Sequence, residues 1–396
     1  MESEVATAQR AWEESAKLAS PTEWTLTEGL DSWFPLDGGL GDAIDFERVL
    51  EPRTDSSVST AATEPVSVGG ESAEFTTSPA GGAVEFDGAT YLSVAGPGRL
   101  GFLDSFTVAA WVRPDADADG GIVSRMTDTS DTEGWAFQMR DGRLQANLVN
   151  RWLDDSIRVE TESKLAAGEW QHVAMTYDGS RWASGVHIYV NGERQPLKIL
   201  LDAINSTFLR EEPLRIGSGG NRQRFRGAIA DVRVYRRELS PRDVQIVSAV
   251  ESIDAIAQVA PQNRSDTQAV KLQEYFLTRT AAHNVRTAYA ARNEAAAKYA
   301  RYLRTVPNTM VMVDREPARM AHVLIRGAYD KPGERVTAID TFTKPLSQLT
   351  VLDAVDTTKA YTGKLVVARE TQFLGGDAVL KLGMQFDQRT KTVDEN

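Results

Sequence analysis

The sequence predicts a mainly-β protein, an antiparallel jelly-roll sandwich with flanking α-helices and a small C-terminal β unit. Two observations carry this expectation. Residues 83–94, 106–113 and 225–235 alternate apolar or aromatic with polar or small side chains, which is the period of a strand that buries one face. In the second block Val108, Ala110 and Val112 point one way, and Thr107, Ala109, Trp111 and Arg113 the other. Shorter strand-like runs start near Gly121, Trp135, Arg143, Glu169 and Val186, and Asp141-Gly142, Asp178-Gly179 and Asn191-Gly192 punctuate them. Such dipeptides supply the positive φ that hairpin turns need. Many short strands with turn chemistry between them close into a sandwich or jelly roll.

Outside the sandwich the chain reads as helices and one β unit. Val5, Ala8, Trp12 and Ala16 recur at helical spacing, so a short amphipathic helix is expected there, with Trp12 docked on a neighbour. Residues 23–37 read as an extended lead into the first strand. Residues 52–82 are rich in Ser, Thr, Gly, Pro and Ala, but Val66, Val68 and Phe75 allow one or two irregular edge strands. Ser240-Pro241 reads as an N-cap followed by the first helical position. Residues 251–263 read as a linker. Residues 266–304 are helical, and Val285, Tyr289, Ala296, Tyr299 and Leu303 form a seam for a partner helix. Residues 264–304 carry eight Lys/Arg against three acids, which is read as a solvated face complementing an acidic neighbour rather than an RNA surface. Residues 364–369 and 378–386 read as two strands. The expected organisation is an N-terminal helix over 1–22, a jelly-roll domain over 23–250, a helical linker or hairpin over 251–305, and an extended or β region over 306–396 that need not be a complete unit.

Seven motifs in order carry a resemblance: Trp33-Phe-Pro-Leu-Asp37, Phe86-Asp-Gly88, Phe106-Thr-Val-Ala-Ala-Trp-Val112, the 168–179 run from Gly168-Glu-Trp to Asp178-Gly179, Ile188-Tyr-Val-Asn-Gly192, Ile216-Gly217, and the run from Phe225 through Ile229, Asp231, Val234 and Tyr235 to Ser240. Together they resemble the laminin-G-like domain, a concanavalin A-like lectin/glucanase jelly roll. One departure is Ala230, where the family usually carries an acidic residue. A second resemblance rests on Leu272-Gln-Glu-Tyr-Phe-Leu277, Val306-Pro-Asn-Thr-Met-Val-Met312 and the run from His322 to Val336. These are similar to the junction in large surface proteins of planctomycete-type bacteria, where a laminin-G-like domain sits between two cytochrome-associated domains. The similarity ends after Asp340. It implies an extracellular or periplasmic location and adjacent domains of a larger protein as partners.

Composition narrows the classes further. With 41% apolar and 25% charged residues the chain is an ordinary globular one. A net charge of -12 repels phosphate backbones, so nucleic acid is not an expected partner. The absence of cysteine excludes disulfides, thiolate metal sites and c-type haem attachment, so no haem is expected in this chain. No apolar run reaches the roughly 20 residues of a membrane span. Met1-Glu-Ser-Glu-Val has neither a basic n-region nor an apolar h-region, so no signal peptide is expected in this chain.

The search for chemistry favours binding over catalysis. Glu85 and Asp87 share a strand face, as the carboxylate pair of a glycosidase would. Position 89, however, is alanine where such enzymes place a third acid, and Asp87-Gly88 suits a turn. No catalytic residue is therefore assigned. Gly217-Ser-Gly-Gly220 lacks the Lys-Ser/Thr of a phosphate loop. Laminin-G-like relatives often bind calcium at a loop rim, and the resemblance points to Asp115, Asp117 and Asp119 with Asp128 and Asp131 as candidate Ca²⁺ ligands. Calcium needs six to eight oxygens. For carbohydrate or another cell-surface ligand, the candidates are Trp152 with Asp154 and Asp155, and Trp182, because these tryptophans lie in polar, loop-like settings. Trp111, Trp135 and Trp170 read as core. A single stacked sugar ring with a few hydrogen bonds gives about -4 kcal/mol, a millimolar Kd. The expected function is a non-catalytic binding module for carbohydrate or another surface ligand. A purely architectural module is the alternative, and a glycoside hydrolase the least favoured reading.

Overall fold

A computed structural model describes residues 2–16, 21–54, 73–116, 118–305, 322–324, 332–335, 360–373 and 376–389. The sandwich strands are β1 (Leu30–Phe34), β2 (Glu51–Thr54), β3 (Glu74–Ser78), β4 (Gly81–Asp87), β5 (Thr90–Val94), β6 (Phe106–Pro114), β7 (Gly120–Met126), β8 (Gly134–Arg140), β9 (Arg143–Arg151), β10 (Asp155–Thr161), β11 (Gln171–Tyr177), β12 (Val186–Val190), β13 (Glu193–Arg194), β14 (Leu197–Asp202), β15 (Leu214–Ile216) and β16 (Arg226–Tyr235). They form two antiparallel sheets of eight strands each. The first runs β13-β12-β11-β6-β16-β4-β3, with β1 also paired to β16; the second runs β14-β10-β9-β8-β7-β15-β5-β2. Neighbours distant in sequence lie side by side, so the core closes only when both ends of the sandwich are present.

The alternation expected for residues 106–113 is what the structure shows. Val108, Ala110 and Val112 enter the main core, whereas Ala109 and Trp111 pack in separate clusters on the opposite face. The core between the sheets is centred on Phe106, whose ring lies 5.8 Å from Trp135, 5.7 Å from Tyr177 and 6.5 Å from Phe208. Trp135 is fully buried and its indole N–H donates to Gly98 O at 3.0 Å, as a buried indole requires. Trp111 and Trp170 differ from the expectation: both are only partly buried, outside the main core. Asp141 and Gly142 take φ of 51° and 76°, and Asn191 and Gly192 take 51° and 82°, so both dipeptides make the expected tight turns. Asp178-Gly179 instead opens a longer connection, in which Asp178 Oδ1 accepts the Ser180 N–H at 2.8 Å and a 3₁₀ turn, Ala183–Gly185, leads into β12.

Helices cover part of the first sheet's outer face. They are α1 (Glu2–Ala16), α2 (Pro241–Ser248), α3 (Ile253–Gln258), α4 (Asp266–Tyr275) and α5 (His283–Thr305). Ser240 caps α2 in a reciprocal capping box with Asp243, and Pro241 takes the first turn as expected. Val244 and Val247 of α2 pack on Ala109, Ala174, Tyr189 and Tyr235. The segment read as a linker contains α3, whose Ile253, Ile256 and Ala257 are buried with Ala16 and Leu272; its apolar spacing is too short to stand out from loop sequence. Trp12 docks on Tyr275 and Phe276, 5.9 and 5.5 Å between rings. A π turn, Phe276–Thr280, separates α4 from α5. Of the seam residues whose side chains are described, Val285 and Tyr289 are half-buried and Tyr289 Oη donates to Glu274 at 2.6 Å, while Ala296 and Tyr299 are exposed.

Residues 309–396 form a second compact unit. Within it His322–Leu324 pairs with Pro332–Arg335, and Ala360–Phe373 pairs with Gly376–Arg389 in unbroken antiparallel register. The long hairpin contains both strands expected there. Val66 and Val68 lie outside the described residues, and Phe75 sits on β3 at the edge of the first sheet. Among the described residues no helix is long and apolar enough to cross a membrane.

Candidate ligand-binding face

The second sheet turns a polar face outward. Met139, Leu144, Ala146, Ile157 and Val159 point into the core, so the alternate positions of β8, β9 and β10 face away from it. Pairing aligns them in rows. Ala136, Asn147 and Arg158 are successive cross-strand partners, and so are Gln138, Gln145 and Glu160. The second row is a hydrogen-bonded chain: Gln138 Nε2 donates to Gln145 Oε1 at 3.2 Å, and Gln145 Nε2 to Glu160 Oε2 at 3.1 Å. The first row is unsatisfied. Asn147 is 0% exposed, and neither its amide nitrogen nor its oxygen has a hydrogen-bond partner; the buried Arg158 Nε also lacks one. An unpaired buried amide costs on the order of 1–3 kcal/mol.

Beside these rows a cleft of about 170 Å³ is lined by Gln138, Arg140 and Trp152 from the sheet side, and by Ser130, Thr132, Asn221 and Gln223 from loops. Trp152 follows β9 and packs on Met126, Ala136 and Val149. The Arg158 guanidinium lies over its ring at 4.3 Å from the centroid, a cation–π contact that braces the indole. Burial, and then repulsion from Arg140, hold the Arg158 pKa below the usual arginine range.

Of the predicted ligand-binding residues, Trp152 alone lines this cleft. Asp154 is an exposed partner of Arg151, Nε to Oδ1 3.1 Å. Asp155 is structural: it is buried and accepts from Asn205 N at 2.6 Å and Asn150 Nδ2 at 2.8 Å. Burial raises its pKa, but these hydrogen bonds outweigh it and the net shift is downward. Trp182 is 44% exposed and precedes the 3₁₀ turn joining β11 to β12, away from the cleft lining.

The predicted calcium ligands do not converge. Asp117 lies outside the described residues. Asp115 and Asp131 are exposed, and Asp119 Oδ1 accepts the Asp141 N–H at 2.7 Å. Asp128 is committed to Arg224, Oδ2 to Nη2 2.6 Å, and accepts Arg222 N at 2.6 Å. Its burial raises the pKa, yet the Arg224 hydrogen bond and its neighbours bring it below the ordinary value. Among the described residues no three acidic or histidine side chains gather as a metal site.

A larger cavity of about 530 Å³ is lined by Glu74, Glu85, Asp87 and Tyr91. Two of its carboxylates are engaged: Glu85 pairs with Arg113, and Asp87 Oδ1 accepts from Ala89 N, Thr90 N and Thr90 Oγ1, all at 2.8 Å. The Thr90 N–H is the largest influence holding the Asp87 pKa down. A general acid needs the opposite shift. This cavity also reaches Pro52 and Ala73, which bracket residues outside the described set.

Sequence reasoning missed Gln138, Arg140, Gln145, Asn147 and Arg158. Each was visible as a polar residue at a strand's alternate position, but their grouping depends on strand register.

Residues 86–245 match the family described as the Concanavalin A-like lectin/glucanases superfamily. Solved structures with a similar fold include the binding domain of Paraclostridial Mosquitocidal Protein 1, at 12% identity and TM-score 0.41, covering 56% of this chain and 52% of that one. Domain 4 of AbnA, a GH43 extracellular arabinanase from Geobacillus stearothermophilus solved with arabinotriose, is 14% identical with TM-score 0.36, covering 58% of this chain and 100% of that one. The ligand binding domain of botulinum neurotoxin serotype D, solved with N-acetylneuraminic acid, is 13% identical with TM-score 0.38, covering 56% of this chain and 50% of that one. The chain thus spans about half the length of the toxin binding domains.

Proposed function

We propose that the sandwich is a non-catalytic carbohydrate-binding module whose site is the cleft on the outer face of the second sheet. The observation that carries this reading is Trp152, held by Arg158 at the wall of a cleft that also presents amide, hydroxyl and guanidinium groups. An indole offers an apolar surface to the C–H face of a sugar ring, and amides donate and accept in the pairs that vicinal hydroxyls require. The reading is non-catalytic because Glu85 and Asp87 are engaged in an ion pair and a turn. It does not call on calcium, since the described candidate carboxylates are dispersed or paired.

Affinity electrophoresis through a panel of polysaccharides, followed by calorimetry with the retarding sugar, tests it. Trp152→Ala is expected to weaken binding by ~10-fold or more, equivalent to about 1.4 kcal/mol, while Trp182→Ala binds as the parent does. Equal retention of the parent and Trp152→Ala would remove the cleft from the account.

A further inference from the structure

Three arginines share the polar face with this cleft. Arg140 and Arg143 flank the Asp141–Gly142 turn and stand directly opposite one another across β8 and β9. Arg158 is the cross-strand partner of Asn147. Strand alternation places all three on the outer face, because Met139, Leu144, Ile157 and Val159 beside them enter the core. Like charges directly opposite on a sheet destabilise it. Among the described residues no carboxylate forms an ion pair with any of the three, although Arg113, Arg210, Arg215, Arg224 and Arg233 of the same sandwich each have one. Glu160, the acid on β10 that shares their face, is taken by Gln145 and by Lys198 at 3.3 Å. In a chain of net charge -12, acids are plentiful, so an arginine cluster without one is a local arrangement and not a consequence of composition.

We infer that the ligand of this face is an anionic sugar, whose carboxylate or sulfate is received by Arg158 and Arg140 beside Trp152. This rests on the reading of the cleft as the carbohydrate site. Guanidinium matches both anions through two parallel N–H donors, and partial burial of Arg158 strengthens such a bond relative to water. The charge that destabilises the unliganded face becomes the source of selectivity when the anion arrives.

The full chain is titrated calorimetrically with tetragalacturonate, with its methyl ester, and with a sulfated galactan tetrasaccharide, at low and high salt. At least one acidic oligosaccharide is expected to bind ~10-fold or more tighter than the neutral ester, with the advantage shrinking as salt rises. Arg140→Gln is expected to reduce that advantage without lowering Tm, because Arg140 is exposed and its removal relieves the repulsion with Arg143; Arg158→Gln is expected to reduce it further. The arm that binds identifies carboxylate or sulfate as the anion. Binding of the ester as tight as the acids, abolished by Trp152→Ala, would overturn the charge inference and leave the cleft intact. Binding of none of the three would overturn both.

Discussion

On the outer face of the first sheet a buried arginine is closed by a carboxylate and an indole, whereas on the outer face of the second three arginines stand beside a cleft with no ion pair among the described residues. In the first, Asp231 sits on a bulge of β16 at φ 49°, where the register against β6 shifts. Its Oδ1 accepts the Trp33 indole N–H at 2.6 Å and Arg233 Nε at 2.9 Å. Arg233 in turn lies 4.5 Å from the Trp33 ring centroid and bonds Thr25 Oγ1. Burial alone would lower the Arg233 pKa, but Asp231 outweighs it and the pKa rises, so the pair stays ionised. Among the described residues the second face has Asn147 and Arg158 Nε unpaired and no carboxylate in an ion pair with Arg140, Arg143 or Arg158. The contrast separates a charge held by its partners in the fold from charges that have none among the described residues. Ala230 is fully buried against Trp111, and the neighbouring Asp231 supplies the ion pair on this face.

The sharpest break comes from the first face. Asp231→Asn leaves Arg233 buried without its counter-charge and is expected to cost about 3–5 kcal/mol in chemical denaturation. Oligosaccharide affinity of the folded fraction should be unchanged; a loss of affinity would join the two faces functionally. Trp152→Ala should invert that pattern, losing ~10-fold or more in affinity while still unfolding cooperatively.

Titration sharpens the comparison further. Burial lowers the His172 pKa from its ordinary 6.5 to about 3, and neither ring nitrogen has a partner. The unfolded chain therefore binds this proton at higher pH than the folded chain. The histidine's contribution to stability is whole above pH 6.5 and is lost as pH falls towards about 3. Denaturation curves at pH 7 and pH 5 should show the parent losing stability and His172→Gln losing less; equal losses would contradict the burial. Asp128 acts lower on the scale. Its folded pKa is depressed, so its contribution is present above the ordinary carboxylate range and disappears as pH falls below about 4. The smallest effect is expected for Trp182→Ala, with Tm and affinity close to the parent, because the side chain is exposed and remote from the cleft lining. A loss of binding in this variant would move the site to the other sheet's connection.

Much of the fold was legible locally. The alternation at 106–113 sorted Val108 and Trp111 onto opposite faces, and Asp-Gly and Asn-Gly placed two turns, because period and positive φ are properties of adjacent residues. Asp178-Gly179 was misleading because Asp178 can satisfy the backbone as a side-chain acceptor as readily as it can make a tight turn. Loop aspartates look free in a sequence, but Asp128 meets Arg224 only after the chain has returned 96 residues later.

What the sequence determined by itself was the sandwich, its inward-facing apolar rows and the N-cap of α2, since each follows from spacing within a single element. The tertiary structure alone decided where a ligand would sit. Gln138, Gln145, Asn147 and Arg158 belong to three strands, and only the register between those strands brings them onto one surface, while Asp128 and Glu85 find their arginine partners across the fold.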